Sequence, residues 1–218
     1  SDSMSNLSLS DFSSFTLFPG QHWSHTWERQ HELVTRFAKL LEGKVISVCS
    51  PLGLINHNPF SLNFFQKIRT YNKLQVKIIN QNPILDNMKM CNLRHIPFHL
   101  SMIGKINYAL MKHGMGMTNN NFFWSTYMNP TIYEFFKRSS FKIYDIAERR
   151  STNPLLNEKI RAWERKAVRE ADLVIVDNHV TMEDYRNLNP RIQYIPQGVN
   201  LETFFKSESS TTREYIGY

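Results

Sequence analysis

Three short stretches of this 218-residue sequence gather side chains able to bind a ligand or activate an oxygen nucleophile. The first is Gly20-Gln21-His22-Trp23-Ser24-His25, continuing through Trp27, Glu28 and Arg29 directly ahead of a helical pattern. A glycine at a helix entrance lets a ligand approach the backbone, and the free amides of that entrance can hold a phosphate. The indoles of Trp23 and Trp27 offer stacking faces for a sugar ring, and His25 or Glu28 can reach a hydroxyl. The plainer alternative is an ordinary βα turn with Trp27 packed in the core. The second stretch is Asp145 with Glu148, Arg149 and Arg150. A carboxylate there can take the proton from an attacking hydroxyl. Glu148 lies further into the loop, whereas Asp145 is better placed to bond nearby backbone. The two arginines can neutralise a phosphate or simply line a solvated helix entry. The third is Gln197-Gly198, where a strand and a proline lead into a reversal that wants a positive φ. His22, His25 and His31 match no zinc spacing and have no cysteine or acidic partner. Pro97 separates His95 from His99, so no metal site is expected.

The elements that would position these residues alternate between strand and helix. SFTLF at 14–18 is a short strand closed by Pro19-Gly20. Leu33, Val34, Phe37, Leu40 and Leu41 then form one apolar helix face, with Gly43 as its stop. Further strands are predicted at 44–49, 74–79, 122–125, 141–144, 173–176 and 192–195, with helices at 98–112 and 155–170. Strands that are continuous apolar runs separated by helices indicate a parallel sheet covered on both sides. The expected fold class is therefore α/β, a doubly wound parallel sheet. In such a sheet ligands bind beyond the carboxyl ends of the strands. Three loops would lie there, at 20–29, 125–129 and 145–150, and the middle one adds Tyr127 and Asn129 as ligand contacts.

Composition narrows the partners. Hydrophobic residues make up 41% and aromatics 13%, which suits a packed core and excludes a disordered chain. Two cysteines give no disulfide framework, which fits a reducing cytoplasm. The net charge is +7, and the whole excess falls between residues 58 and 118, where eight Lys and Arg face only Asp86. Phe60, Phe64, Phe65, Ile68 and Tyr71, interleaved with Lys67, Arg69 and Lys73, have the make-up of an interfacial amphipathic helix. Residues 58–118 are thus expected to meet an anionic membrane surface or a phosphorylated substrate. No recognised nucleic-acid module accompanies the charge, so nucleic acid is not an expected partner.

Several segments resemble a known class. Glu164, then Ala171-Asp172-Leu173-Val174-Ile175-Val176-Asp177, then Ile195-Pro196-Gln197-Gly198-Val199-Asn200-Leu201-Glu202-Thr203-Phe204 resembles a signature of glycosyltransferases. It is similar to the E…ADLVIV(S)…IPNGVD…F pattern that closes the N-terminal domain of family 4 and related GT-B transferases. Gln197 stands for the usual Asn, Asn200 for the usual Asp, and Asp177-Asn178 for the usual Ser. Tyr144-Asp145-Ile146-Ala147-Glu148 is similar to their YDxxD/E, and Trp23 to Leu33 looks like the W…RPxxLA helix start of teichuronic-acid-type and capsule-type enzymes. Residues 52–135 carry no such likeness.

The resemblance implies a Rossmann-like N-terminal lobe that binds a saccharide or polyprenyl-linked acceptor, with no protein-bound cofactor. A nucleotide-diphosphate sugar would be the donor substrate. Glu148, His25 and Asp145 would be its catalytic group. Gly20, His22, Trp23, Trp27, Glu28, Arg29, Tyr127, Asn129, Arg149, Arg150, Gln197 and Gly198 would contact substrate. Residues 1–10 would be a tail, with Ser1-Asp2-Ser3 an expression scar. The acceptor lobe would span 11–205, and 206–218 would be a linker opening a missing donor domain. The location implied is cytoplasmic, peripheral to the inner face of the plasma membrane. Two rivals stand beside this reading: a GT-B nucleotide-sugar 2-epimerase, which leaves the basic zone unexplained, and a non-enzymatic nucleic-acid or anion binder.

Overall fold

Each strand of this chain is built from residues that prefer an extended, enclosed backbone. In the computed structural model, residues 8–20, 29–49, 85–91, 95–96, 100–146 and 158–196 are described. Their strands are β1 (Ser14–Phe18), β2 (Ile46–Cys49), β3 (Met88–Cys91), β4 (Asn121–Ser125), β5 (Phe141–Ile146), β6 (Leu173–Val176) and β7 (Ile192–Tyr194). The helices are α1 (Arg29–Leu40), α2 (Ser101–Met111), α3 (Pro130–Phe136), α4 (Glu158–Glu170) and α5 (His179–Arg186). All seven strands join one sheet in the order β3-β2-β1-β4-β5-β6-β7, and every pairing is parallel. The fold is a Rossmann-like doubly wound α/β sheet.

Alternation along the strands divides the core in two. Phe15, Leu17, Ile46, Val48, Phe122 and Trp124 face α1, packing with Val34, Ala38 and Leu41. Phe37 stacks on Phe122 at 5.1 Å between ring centroids. Phe18, Phe123, Tyr144, Ile146, Val174 and Val176 face the opposite layer, which includes Ile132, Phe135, Ala167, Val168 and Tyr185. β1 and β6 are buried almost throughout, which is why β6 reads as an unbroken apolar string and β1 interrupts its apolar residues only with small hydroxyls.

Polar residues inside the sheet fix the register. Asn121 is fully buried at the start of β4. Its Oδ1 accepts from Ser14 Oγ at 2.8 Å and Thr16 Oγ1 at 3.0 Å, and its Nδ2 donates to Ser139 Oγ at 2.8 Å. One side chain therefore joins β1, β4 and the turn into β5. At the end of α4, Asn189 Nδ2 donates to the carbonyls of Val168 at 2.8 Å and Ala171 at 2.9 Å, satisfying acceptors that the helix leaves open.

Four features depart from the sequence expectations. β3 arises at Met88–Cys91 because pairing in register with β2 (Ile46↔Met88 to Cys49↔Cys91) supplies a partner that a four-residue run does not reveal. The short helices α3 and α5 have no counterpart among the predicted elements. Each starts at an asparagine whose side chain accepts a backbone amide, Asn129 from Ile132 at 2.9 Å and Asn178 from Thr181 at 2.8 Å. β5 runs to Ile146 rather than Tyr144, because Asp145 and Ile146 pair with Ile175 and Val176 of β6. A 3-10 turn at Leu9–Asp11 lies in the segment assigned to the tail, held where Lys44 Nζ donates to Ser10 O at 2.9 Å. The predicted strand 74–79 lies outside the described residues.

The Asn121 junction yields a prediction. Asn121→Ala removes three buried hydrogen bonds and strands their partners, so urea unfolding should show a loss of about 2–4 kcal/mol with an unchanged m value.

Candidate functional site

A parallel sheet sends all its forward exits to one edge. In this strand order the chain winds away in opposite directions from β1 and β4, which makes the carboxyl ends of those two strands the switch point where doubly wound sheets hold their ligand crevice. There the backbone is tightly joined. Thr126 N donates to Phe18 O at 3.1 Å, and Thr126 Oγ1 donates to Pro19 O at 2.8 Å. Ser125 Oγ donates to Tyr127 O at 2.6 Å, closing the turn after β4.

Gly20 sits at the centre of this contact. Its φ is +78°, in the left-handed region, and a Cβ there would lie 2.6 Å from Thr126 Oγ1 and 3.2 Å from Tyr127 Cδ1. Glycine is required twice, once for its backbone angle and once for the closeness of the β4 turn. The residues that follow, His22, Trp23, His25, Trp27 and Glu28, lie outside the described residues; Arg29 opens α1.

The other predicted residues separate into scaffold and edge. Tyr127 is buried and belongs to the apolar core beneath the turn. Asn129 is buried as well, and its Oδ1 caps α3. Both side chains therefore serve the scaffold that aims the loop. Asp145, expected just after its strand, lies instead within β5, fully enclosed, opposite Ile175 in register. Glu148, Arg149 and Arg150 follow β5 by a few residues and lie outside the described residues, as do Gln197 and Gly198 past β7. Their strands exit at the same edge as β1. β5 is two positions from β1 and β7 four, so the β7 exit is about 19 Å along the edge.

Buried polar contacts also tie the helices together. Glu164, which the signature picks out, is buried and accepts from Tyr185 Oη at 2.6 Å, tying α4 to α5. Asn107 of α2 donates to Thr131 Oγ1 and to Ile96 O, both at 2.9 Å, and accepts from Ile96 N at 2.8 Å. A Cβ on Gly104 would lie 2.5 Å from Pro130 O, so α2 crosses α3 at backbone distance. Buried asparagines and a mid-helix glycine in this stretch were the signal available for that crossing.

Cys49 and Cys91 are free thiols in register at the ends of β2 and β3, on the side away from α1. Their mutual hydrogen bond lowers Cys91 to about 7, while burial pushes Cys49 well above the usual thiol range. Beneath α1, an apolar cavity of about 150 Å³ is lined by Leu17, Leu33, Phe37, Trp124, Ile143 and Ile175. Among the described residues, no three His, Cys, Asp or Glu side chains converge as metal ligands, and no helix is long and apolar enough to cross a membrane.

The fold and its switch point define a class, that of Rossmann-like doubly wound α/β proteins. Neither a scan against protein-family models nor a search of curated proteins finds a match to this chain.

Two glycines give a controlled test of the crevice. Gly43 has a φ of +81°, and no atom lies within 4 Å of where its Cβ would stand, so Gly43→Ala meets only the backbone cost, about 1 kcal/mol. Gly20→Ala meets that cost and the Thr126 contact, and should destabilise by about 1–3 kcal/mol more in thermal or urea unfolding.

Proposed function

We propose that this chain is the acceptor-binding half of a GT-B glycosyltransferase. It moves a sugar from a nucleoside-diphosphate donor to a saccharide or polyprenyl-linked acceptor in surface-polysaccharide synthesis. The observation that carries the reading is the β1–β4 switch point, with Gly20 pressed against the β4 turn. The sequence features that resemble the transferases lie on strands leaving from that same edge. ADLVIV ends α4 and forms β6, and Ile195-Pro196 follow β7. The end of that likeness, from Val176 and from Ile195-Pro196 onward, leaves the sheet at the edge where doubly wound folds bind ligands.

In this reading an acceptor hydroxyl attacks the anomeric carbon of the donor sugar. Glu148 takes its proton, the bond from that carbon to the diphosphate oxygen breaks, and the nucleoside diphosphate leaves with the electron pair. Arg149 and Arg150 face the charge that develops on the diphosphate. The stacking indoles of Trp23 and Trp27 and the hydroxyl-binding His22, His25 and Glu28 hold the acceptor. Asp145, enclosed in β5, positions the loop that carries Glu148. A second α/β lobe supplies the remaining donor contacts.

A polyprenyl acceptor places the work at a membrane, and α2 supports a peripheral location. Met102, Ile106 and Leu110 recur every fourth residue and are 68%, 40% and 64% exposed, with Lys105 on the same side. An apolar ridge flanked by lysine is the make-up of a helix that lies in an anionic interface. The earlier amphipathic stretch, 60–73, lies outside the described residues.

Two measurements check the reading. With the native-length protein, radiolabelled sugar should pass from one of a panel of nucleotide sugars into a lipid extract. Glu148→Gln should slow that transfer by about 100-fold or more with little change in donor KM. Absence of transfer from every donor, or an undiminished Glu148→Gln rate, refutes it. Separately, the protein should co-sediment with phosphatidylglycerol vesicles, and replacing Met102, Ile106 and Leu110 together by serine should weaken this about tenfold. Indifference to the triple change would remove α2 from the membrane contact.

A further inference from the structure

The opposite edge of the sheet carries a second cleft, which the transferase reading does not use. It has a volume of about 440 Å³ and lies between the end of α2, the segment entering β4 and the residues just past α3. Tyr108, Lys112, His113, Thr118, Asn119 and Arg138 line it. Asn119 stands two residues before β4, so the cleft opens at the amino edge, away from Gly20 and the β4 turn.

Its charge is arranged rather than scattered. The Arg138 guanidinium lies 4.3 Å from the centroid of the Tyr108 ring, and Lys112 Nζ lies 5.9 Å from the same ring. Arg138 also donates from one terminal nitrogen to Glu134 O at 2.8 Å and to the Glu134 carboxylate. That carboxylate is buried and additionally bound by Lys137 at 2.7 Å. Burial opposes ionisation of Glu134, but the hydrogen bonds from Lys137 and Arg138 outweigh it and hold the group below the usual range. Glu134 thus fixes the guanidinium through one terminal nitrogen while the Tyr108 ring lies against it, and Arg138 remains part of the cleft lining. Among the described residues no carboxylate pairs with Lys112, and none of the lining residues is acidic. On the floor, Thr118 Oγ1 is held by Ser13 Oγ at 2.6 Å and Ser14 Oγ at 2.9 Å, and Thr118 N donates to Ser14 Oγ at 3.0 Å.

We infer that this cleft binds a phosphate ester, the oxyanion lying between Lys112 and Arg138. A guanidinium stacked on a ring and tied by a buried glutamate loses little freedom on binding, which favours a planar, multidentate oxyanion contact. Lys112, one turn past Tyr108 and beside the same ring, contributes a point charge, and the His113 imidazole and the Asn119 amide offer further donors. The volume leaves room for the organic part of a mono- or diester. This assignment is independent of sugar transfer, since it involves neither the loops at the carboxyl edge nor the exposed ridge of α2.

The test is a nitrogen-15 amide titration with inorganic phosphate, against sodium chloride at matched ionic strength. Saturable shifts confined to residues 108–119 and 138 are expected. Lys112→Ala, at a partly exposed position beyond the helix, should weaken the affinity about tenfold, the loss of one charge-assisted contact. Lys39→Ala, exposed on α1 and outside the cleft, should leave it unchanged. Shifts that merely follow ionic strength, or that persist at the same affinity in Lys112→Ala, overturn the inference. Where phosphate binds, a second arm names the source. With Met102, Ile106 and Leu110 replaced by serine so that the α2 ridge cannot dock, competition by phosphatidylglycerol vesicles but not phosphatidylcholine vesicles assigns a lipid headgroup, and absence of competition assigns a soluble phosphate ester; both results uphold the cleft.

Discussion

The parallel pairing of β1 with β4 is the constraint on which the carboxyl edge depends. It brings two strands distant in sequence into five consecutive register pairs, Ser14↔Asn121 to Phe18↔Ser125. At one end the Asn121 amide holds the pair, and at the other Thr126 bonds to Phe18 and Pro19. Between these polar anchors the strands bury Phe15, Leu17, Phe18, Phe122, Phe123 and Trp124, split between the two faces. Hydrophobic burial supplies the driving force without fixing a register, since a slip by two residues would keep the same faces inward. The buried asparagine and the close approach at Gly20 penalise that slip, because it would orphan Asn121 and drive a side chain into Thr126.

From that pairing the two edges of the sheet acquire different characters. At the carboxyl edge β1 ends at Phe18 and β5 at Ile146, and the sequence runs on from them to His22-Trp23 and to Glu148. The amino edge carries the cleft of Lys112 and Arg138, built where α2 and α3 meet. α2 connects the two, since Asn107 and Gly104 lock it against α3 while Met102, Ile106 and Leu110 remain outward. A helix with a buried polar stripe of this kind keeps its apolar ridge exposed because its other side is already committed.

Much of the fold was legible because single-residue signals and periodicity agreed. SFTLF, rich in aromatic and β-branched residues, and the apolar LVIV are bounded by breakers or polar residues, and they are strands over the residues expected. Of the α1 face expected from helical spacing, Val34 and Leu41 are buried and Leu33 and Phe37 pack against the core, but Leu40 is 77% exposed and Ala38 takes the inward place. The short helices were obscure for a physical reason. PTIYEFF is buried on nearly every side, so it shows no polar face and no period, and only Asn129-Pro130 announces its start. β3 is decided by its neighbour rather than by its own four residues. Of the candidate site, the glycine at 20 was legible as a turn requirement, but the reason for it, Thr126 approaching from across the sheet, is a tertiary contact no local pattern encodes. Tyr127 and Asn129 looked like ligand contacts because polar and aromatic residues after a strand often are; core packing and a helix cap claimed them instead.

Acceptor chemistry at the carboxyl edge, around the β1–β4 switch point, is the central claim. Photocrosslinking with a diazirine-bearing polyprenyl phosphate saccharide, followed by peptide mapping, tests it most directly. Adducts within 20–29, 126–129 and 147–150, suppressed by unlabelled acceptor, are the predicted result. Adducts gathered instead around 108–119 and 138, with the carboxyl-edge loops unlabelled, would contradict it.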